Sequence, residues 1–178
     1  MKKLHLTRSE MLARWRLAKG YTPLQTNVQS TDSSDPFFEA QIAEWYHRLL
    51  LTAPVDLLAP TDLTSSYPEL PAPSQGGITI SLPPEAVRLT GARLASWSAD
   101  ALVITPDHPF TPLQANPLTR ALSRCPVAVV RPGGSVTLYP AVAGDRLVRL
   151  EAVGAFDDMY HFDEAALIPV ENPETEIY

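Results

Sequence analysis

The spacing of apolar side chains changes along this chain from a helical period to an alternating one, and the change falls near Gly77. The first helical signal is Thr7-Arg8-Ser9-Glu10, a capping-box pattern in which the Thr7 hydroxyl and the Glu10 carboxylate satisfy each other's backbone amides. Met11, Leu12 and Trp15 follow at helical spacing, and Gly20 suits the left-handed position that ends a helix. A helix is predicted over residues 7–19. Its short length means that Trp15 needs a second helix, or a neighbouring subunit, to become buried. Arg8, Arg14 and Arg16 form its polar face, which suits phosphate or an acidic neighbour and reads first as solvated.

After a polar stretch from Thr22 to Ser34, Asp35 and Pro36 mark a second helix start, because proline at the first helical position loses no hydrogen bond. Phe38, Ile42, Trp45, Tyr46, Leu49 and Leu50 give this helix, about 36–52, one broad apolar face that stops before Pro54. From Pro54 to Gly77 five prolines exclude a long helix and predict a stiff, extended connector. Leu57, Leu58, Leu63, Tyr67 and Leu70 make it too apolar for a free linker, so it should lie against its own fold or a partner.

Beyond Gly77 six segments read as strands: 78–82, 87–94, 101–104, 127–130, 136–139 and 146–153. Arg131-Pro132-Gly133-Gly134-Ser135 has hairpin chemistry, and Pro140 to Asp145 joins the next pair. A mainly antiparallel sheet follows. The insert 105–126 reads as an ordered proline-rich loop with one helical turn near Leu118 to Leu122. A short helix is expected from Asp163 to Leu167, before Pro169. The acidic tail from Glu171 ends in Ile177 and Tyr178, a pair suited to adding an edge strand to another chain. The predicted fold is α+β, with N-terminal helices (1–53), a proline-rich connector (54–77) and a β-rich part with an acidic tail (78–178).

Composition adjusts this picture in one respect. Proline, 18 of 178 residues, is roughly twice its average usage, which by itself suggests disorder. The 45% hydrophobic and 19% charged content predicts a folded chain instead. No apolar run reaches membrane-span length and the first residues lack a signal-peptide core, so the chain reads as soluble and made inside a cell. A single Cys125 excludes an internal disulfide. The net charge of −6 is distributed in alternating zones: +5 over residues 1–20, −6 over 21–70, mildly basic over 71–140 and −7 over 141–178. No coherent basic surface for coating nucleic acid results. Such zones suit contacts between copies, and equally suit ordinary solvated surface.

The residues offer little chemistry. Asp157, Asp158, His161, Asp163 and Glu164 are the densest polar cluster, with Asp107 and His108 as further candidates, yet no metal motif is present. A surface turn with Asp163 capping a short helix explains it better. Cys125, between Arg124 and Pro126, leads into an apolar strand and reads as buried and inert. Gly133 and Gly134 fit a hairpin better than a phosphate cradle. Tyr21, Trp45, Tyr46, Tyr67 and Trp97 read as core aromatics. No catalytic, cofactor-binding or metal-ligating residue is assigned.

Two strings, ITISLPPEAVRLTGARLASW (78–97) and PVAVVRPGGSVTLYPAVAGDRLVRLEAV (126–153), resemble the head-to-tail adaptors of tailed bacteriophages, the neck rings that extend the portal in short-tailed and crAss-like phages. The leucine-proline-proline lead into a VRL strand and the later LYP hairpin with its glycine-aspartate turn carry the resemblance, which covers about half the chain. Pro169 and Pro173 depart from the longer C-terminal helix frequent in that family. The resemblance implies a non-enzymatic virion protein without cofactor. It would form a homo-oligomeric ring, a dodecamer matching the portal, contact portal and tail or further neck proteins, and line a conduit for DNA without sequence-specific binding. No membrane partner is implied. Contacts through 54–77 and 105–126 are expected. The alternatives are an accessory subunit of another bacterial assembly, or a small hydrolase using His108 or His161 beside Asp157 or Asp158.

Overall fold

A computed structural model describes residues 2–19 and 35–167. The expected terminator Gly20, the link 22–34 with Tyr21 before it, and the tail beyond Leu167 lie outside the described residues. The fold is α+β, as the sequence predicts. Contacts group the chain into two units, one made of residues 1–59 and 155–178, the other of 60–154. This grouping differs from three consecutive parts: the proline-rich segment divides between the units, and the last stretch of chain joins the helices.

In the first unit, β1 (Lys3–Thr7) runs directly into α1 (Arg8–Ala18), so a strand precedes the helices. The Thr7–Glu10 capping box is present, with the Thr7 amide donating to the Glu10 carboxylate at 2.8 Å. The second helix, α2 (Asp35–Thr52), buries Phe38, Ile42, Tyr46 and Leu50 on one stripe. Trp15 is buried, as a short helix requires, by α2: its ring meets Trp45 at 5.6 Å and its indole N–H donates to Gln41. The arginines of α1 stay partly open to solvent, and each also meets an acidic neighbour. Arg8 pairs with Glu39, Arg16 with Asp35 and Arg14 with Glu164, which ties the helix down on two sides.

The last strand, β9 (Met159–Asp163), pairs antiparallel with β1, placing Leu4 opposite Phe162 and His5 opposite His161. Phe162 is fully buried and packs edge-on against Trp45, with ring centroids 5.3 Å apart. Leu58 bridges to Phe162, and Lys3 donates to the carbonyl oxygens of Asp56 and Leu58. The start of the proline segment therefore lies against its own fold. The short helix expected over Asp163–Leu167 is a 3-10 turn over Glu164–Leu167, with Asp163 still in the strand. Asp163 Oδ1 accepts from the Ala165 amide at 3.1 Å, the capping bond expected of it.

The second unit holds two sheets. One has the order β2 (Thr61–Asp62), β8 (Leu147–Gly154), β4 (Ala86–Leu94), all antiparallel. The other has the order β3 (Ile78–Ser81), β7 (Ser135–Tyr139), β6 (Val127–Val130), β5 (Leu102–Ile104). Its β5–β6 pair is parallel, a departure from the antiparallel expectation. The reason is the loop 105–126, long enough to return the chain to the same end of the sheet, as a parallel pair needs. The predicted hairpin joins β6 to β7, with Gly133 and Gly134 at φ +83 and +77. Val129, Val136, Leu138, Leu150 and Ala152 are fully buried. Leu63, within the proline segment, is buried too, and its amide donates to the Leu150 carbonyl at 2.7 Å.

Candidate interaction surface

The loop 105–126 is held from within by one side chain. Gln114 is only 5% exposed, at the end of a 3-10 turn over Pro112–Ala115. Its amide Nε2 donates to the Phe110 carbonyl at 2.9 Å and its Oε1 accepts from the Ala121 amide at 3.0 Å. Its own carbonyl accepts from Arg120 Nε at 3.0 Å. Threonines finish the lacing: Thr111 Oγ1 donates to the Thr105 carbonyl and Thr119 Oγ1 to the Leu113 carbonyl. The helical turn expected at 118–122 sits two residues earlier, where the Thr119 and Arg120 amides both donate to the Asn116 carbonyl, because Asn116 Oδ1 takes the Leu118 amide and starts the turn there.

This lacing uses the loop's polar groups and leaves its apolar ones facing out. Leu118 is 94% exposed, Leu122 54% and Phe110 48%. Leu102 and Leu113 are exposed as well. Leu102, Phe110 and Leu113, with Ala121, Val127 and Cys125, line a cavity of about 310 Å³. Cys125 is exposed, not buried as its approach to an apolar strand suggests. A tight turn closed by its amide on the Leu122 carbonyl ends there, and burial starts only with Pro126 and Val127.

Charge at the cavity is self-compensated. Asp100 lines it and pairs with Arg149, which also forks onto Glu151 through bonds of 2.8 and 2.7 Å. The Glu151 bonds, joined by the field of Asp100, hold the Arg149 guanidinium above its ordinary pKa, so both carboxylates stay matched by a permanent cation. An apolar partner can approach without stripping water from a lone ion.

The polar cluster of residues 157–164 lies in the first unit, whereas Asp107 and His108 lie in the second. Among the described residues no three ligating side chains converge on a metal position. Asp157 accepts from His161 Nε2, with both oxygens at 2.9 Å, and this bond holds its carboxyl below the usual range. Glu164 is taken by Arg14. His108 accepts from the Phe110 amide within its own loop. Of the aromatics, Tyr46 and Trp97 are buried, while Trp45 and Tyr67 are half-buried.

No protein-family model, curated protein or solved structure matches this chain. No helix among the described residues is long and apolar enough to cross a membrane.

Proposed function

We propose that this chain is a structural subunit of a phage neck ring, standing between portal and tail and lining the passage for DNA. The observation that supports the reading best is the apolar outer surface of the 105–126 loop. Exposed leucines on a loop already fixed by its own hydrogen bonds cost little ordering entropy when a partner covers them. A subunit that must meet identical neighbours around an axis needs such a prearranged, heterologous contact. The phage-adaptor resemblance of residues 78–97 and 126–153 supplies the class of assembly, a ring of about twelve copies closed around the axis. The arginines of α1 are engaged inside their own unit, so apolar burial, more than alternating charge, is the driving force in this reading.

The test is reconstitution. The purified chain, mixed with a portal protein from the same genome, should give rings on the portal in electron micrographs. The variant carrying Leu118→Asp and Leu122→Asp should remain folded by circular dichroism and form none. A wild-type chain that stays a monomer and leaves the portal bare overturns the proposal.

A further inference from the structure

His5 and His161 face each other across the β1–β9 pair, with their Nδ1 atoms 2.7 Å apart. The tautomers follow from Asp157. An ionised carboxylate only accepts hydrogen bonds, so the ring nitrogen that meets it, Nε2 of His161, carries a proton. Nδ1 of the neutral His161 ring is then a bare lone pair, aimed at His5. With His161 in that form, the proton of the contact sits on His5 Nδ1.

A histidine whose far nitrogen is held by a carboxylate, leaving the near nitrogen bare and oriented, is the arrangement that metal-ligating histidines adopt. A second imidazole stands beside that lone pair. Both rings are reachable: His5 is exposed, and a quarter of the His161 side chain is. The strand beneath is fixed, because the His161 amide donates to the buried Tyr46 hydroxyl at 3.1 Å.

From this geometry we propose that His5 Nδ1 and His161 Nδ1 form a two-nitrogen site for a borderline divalent cation of the zinc, nickel or copper kind, with water in the other positions. Two metal–nitrogen bonds near 2.0–2.1 Å at a tetrahedral angle place the nitrogens about 3.3 Å apart, so the two Nδ1 atoms need separate by well under 1 Å while each ring tilts to turn its lone pair off the N–N line onto the cation. His5 moves its proton from Nδ1 to Nε2 through solvent as the cation enters, and no net proton is lost from the neutral pair. The carboxylate of Asp157 adds local negative charge and keeps His161 in the ligating tautomer. Hard cations such as magnesium and calcium, which demand oxygen ligands, are excluded. The site is independent of the neck-ring reading.

The experiment is calorimetric titration of the untagged full chain with zinc, nickel or copper(II) chloride alone, paired with electron paramagnetic resonance of the copper form. One equivalent should bind, copper tightest in accord with the usual divalent order, and the copper spectrum should carry coupling to two nitrogens. His5→Ala should abolish this binding, and Asp157→Asn should weaken it about 10- to 100-fold. His47→Ala and His108→Ala should leave it unchanged, which also controls for adventitious surface histidine. An amide NMR spectrum of each variant establishes that it is folded. Wild-type protein that binds none of the three metals, binding that survives His5→Ala in a folded variant, or a copper spectrum with a single nitrogen each overturns the proposal.

Discussion

The guanidinium of Arg120 occupies the space that a β-carbon on Gly76 would need. Gly76 is at φ +75 in the turn closed by reciprocal bonds between Ser74 and Gly77, and its carbonyl accepts from the Ala141 amide. The same Arg120 holds the Gln114 carbonyl. One arginine thus joins the end of the proline-rich segment to the 105–126 loop, both inside the second unit. Gly76→Ala should force Arg120 off Gln114 while straining the backbone, at a cost of about 1–3 kcal/mol. Gly133→Ala, at a similar φ but in open space, should cost about 1–2 kcal/mol from conformation alone. Urea denaturation of the two variants, with Gly76→Ala the less stable, checks the clamp.

Trp97 is buried, and its indole N–H donates to the Pro140 carbonyl at 2.6 Å. Trp97→Phe keeps an aromatic ring but leaves that acceptor unpaired and empties the space of the second indole ring. A loss of about 1–3 kcal/mol is expected in chemical unfolding.

Leu118 projects almost wholly into solvent and Leu122 is more than half exposed. The double replacement by aspartate should therefore shift unfolding free energy by no more than about 0.5 kcal/mol per site, while abolishing the association proposed above. Sedimentation velocity and a thermal melt on the same sample separate the two effects.

The cap of α1 gives a pH dependence of defined sign. The Thr7 amide, followed by its hydroxyl, holds the Glu10 carboxyl below its ordinary pKa. A depressed carboxylate contributes stability that is present above its unfolded pKa and is lost as pH falls through the folded one. The helix should accordingly lose stability below about pH 4.5, a range set by ordinary glutamate. Glu10→Gln should flatten that part of the profile, and Thr7→Ala should cost about 1 kcal/mol at neutral pH, both measured by circular dichroism against pH.

Local signals were legible in the sequence and distant ones were not. The capping box at Thr7, the α2 stripe and the Gly133-Gly134 hairpin depend on residues a few positions apart, and each stands where its pattern predicts. Strands β1 and β9 carry no local signal. Lys3 to Thr7 alternates over too few residues to signal a strand, and Met159 to Asp163 sits in an acidic stretch that resembles a turn; each is a strand because the other pairs with it. For the same reason the His5–His161 contact, spanning 156 positions, has no local signature. The loop 105–126 drew attention by its prolines, yet which side chains face outward is decided by the internal bonds of Gln114.

The pairing of β1 with β9 also orders events during synthesis. Residues 60–154 form their unit from one unbroken stretch of chain, so they can fold as soon as they leave the ribosome. β1 must wait for residues 159–163. At typical elongation rates of about 5–20 residues per second, the delay between the two is on the order of ten seconds. Over that interval Leu4 lacks Phe162, its partner across the strand pair, and Trp45 lacks the ring that packs edge-on against it, so their apolar surface stays open to solvent. Of this pair, the strand made earlier is thus completed only when the later one arrives.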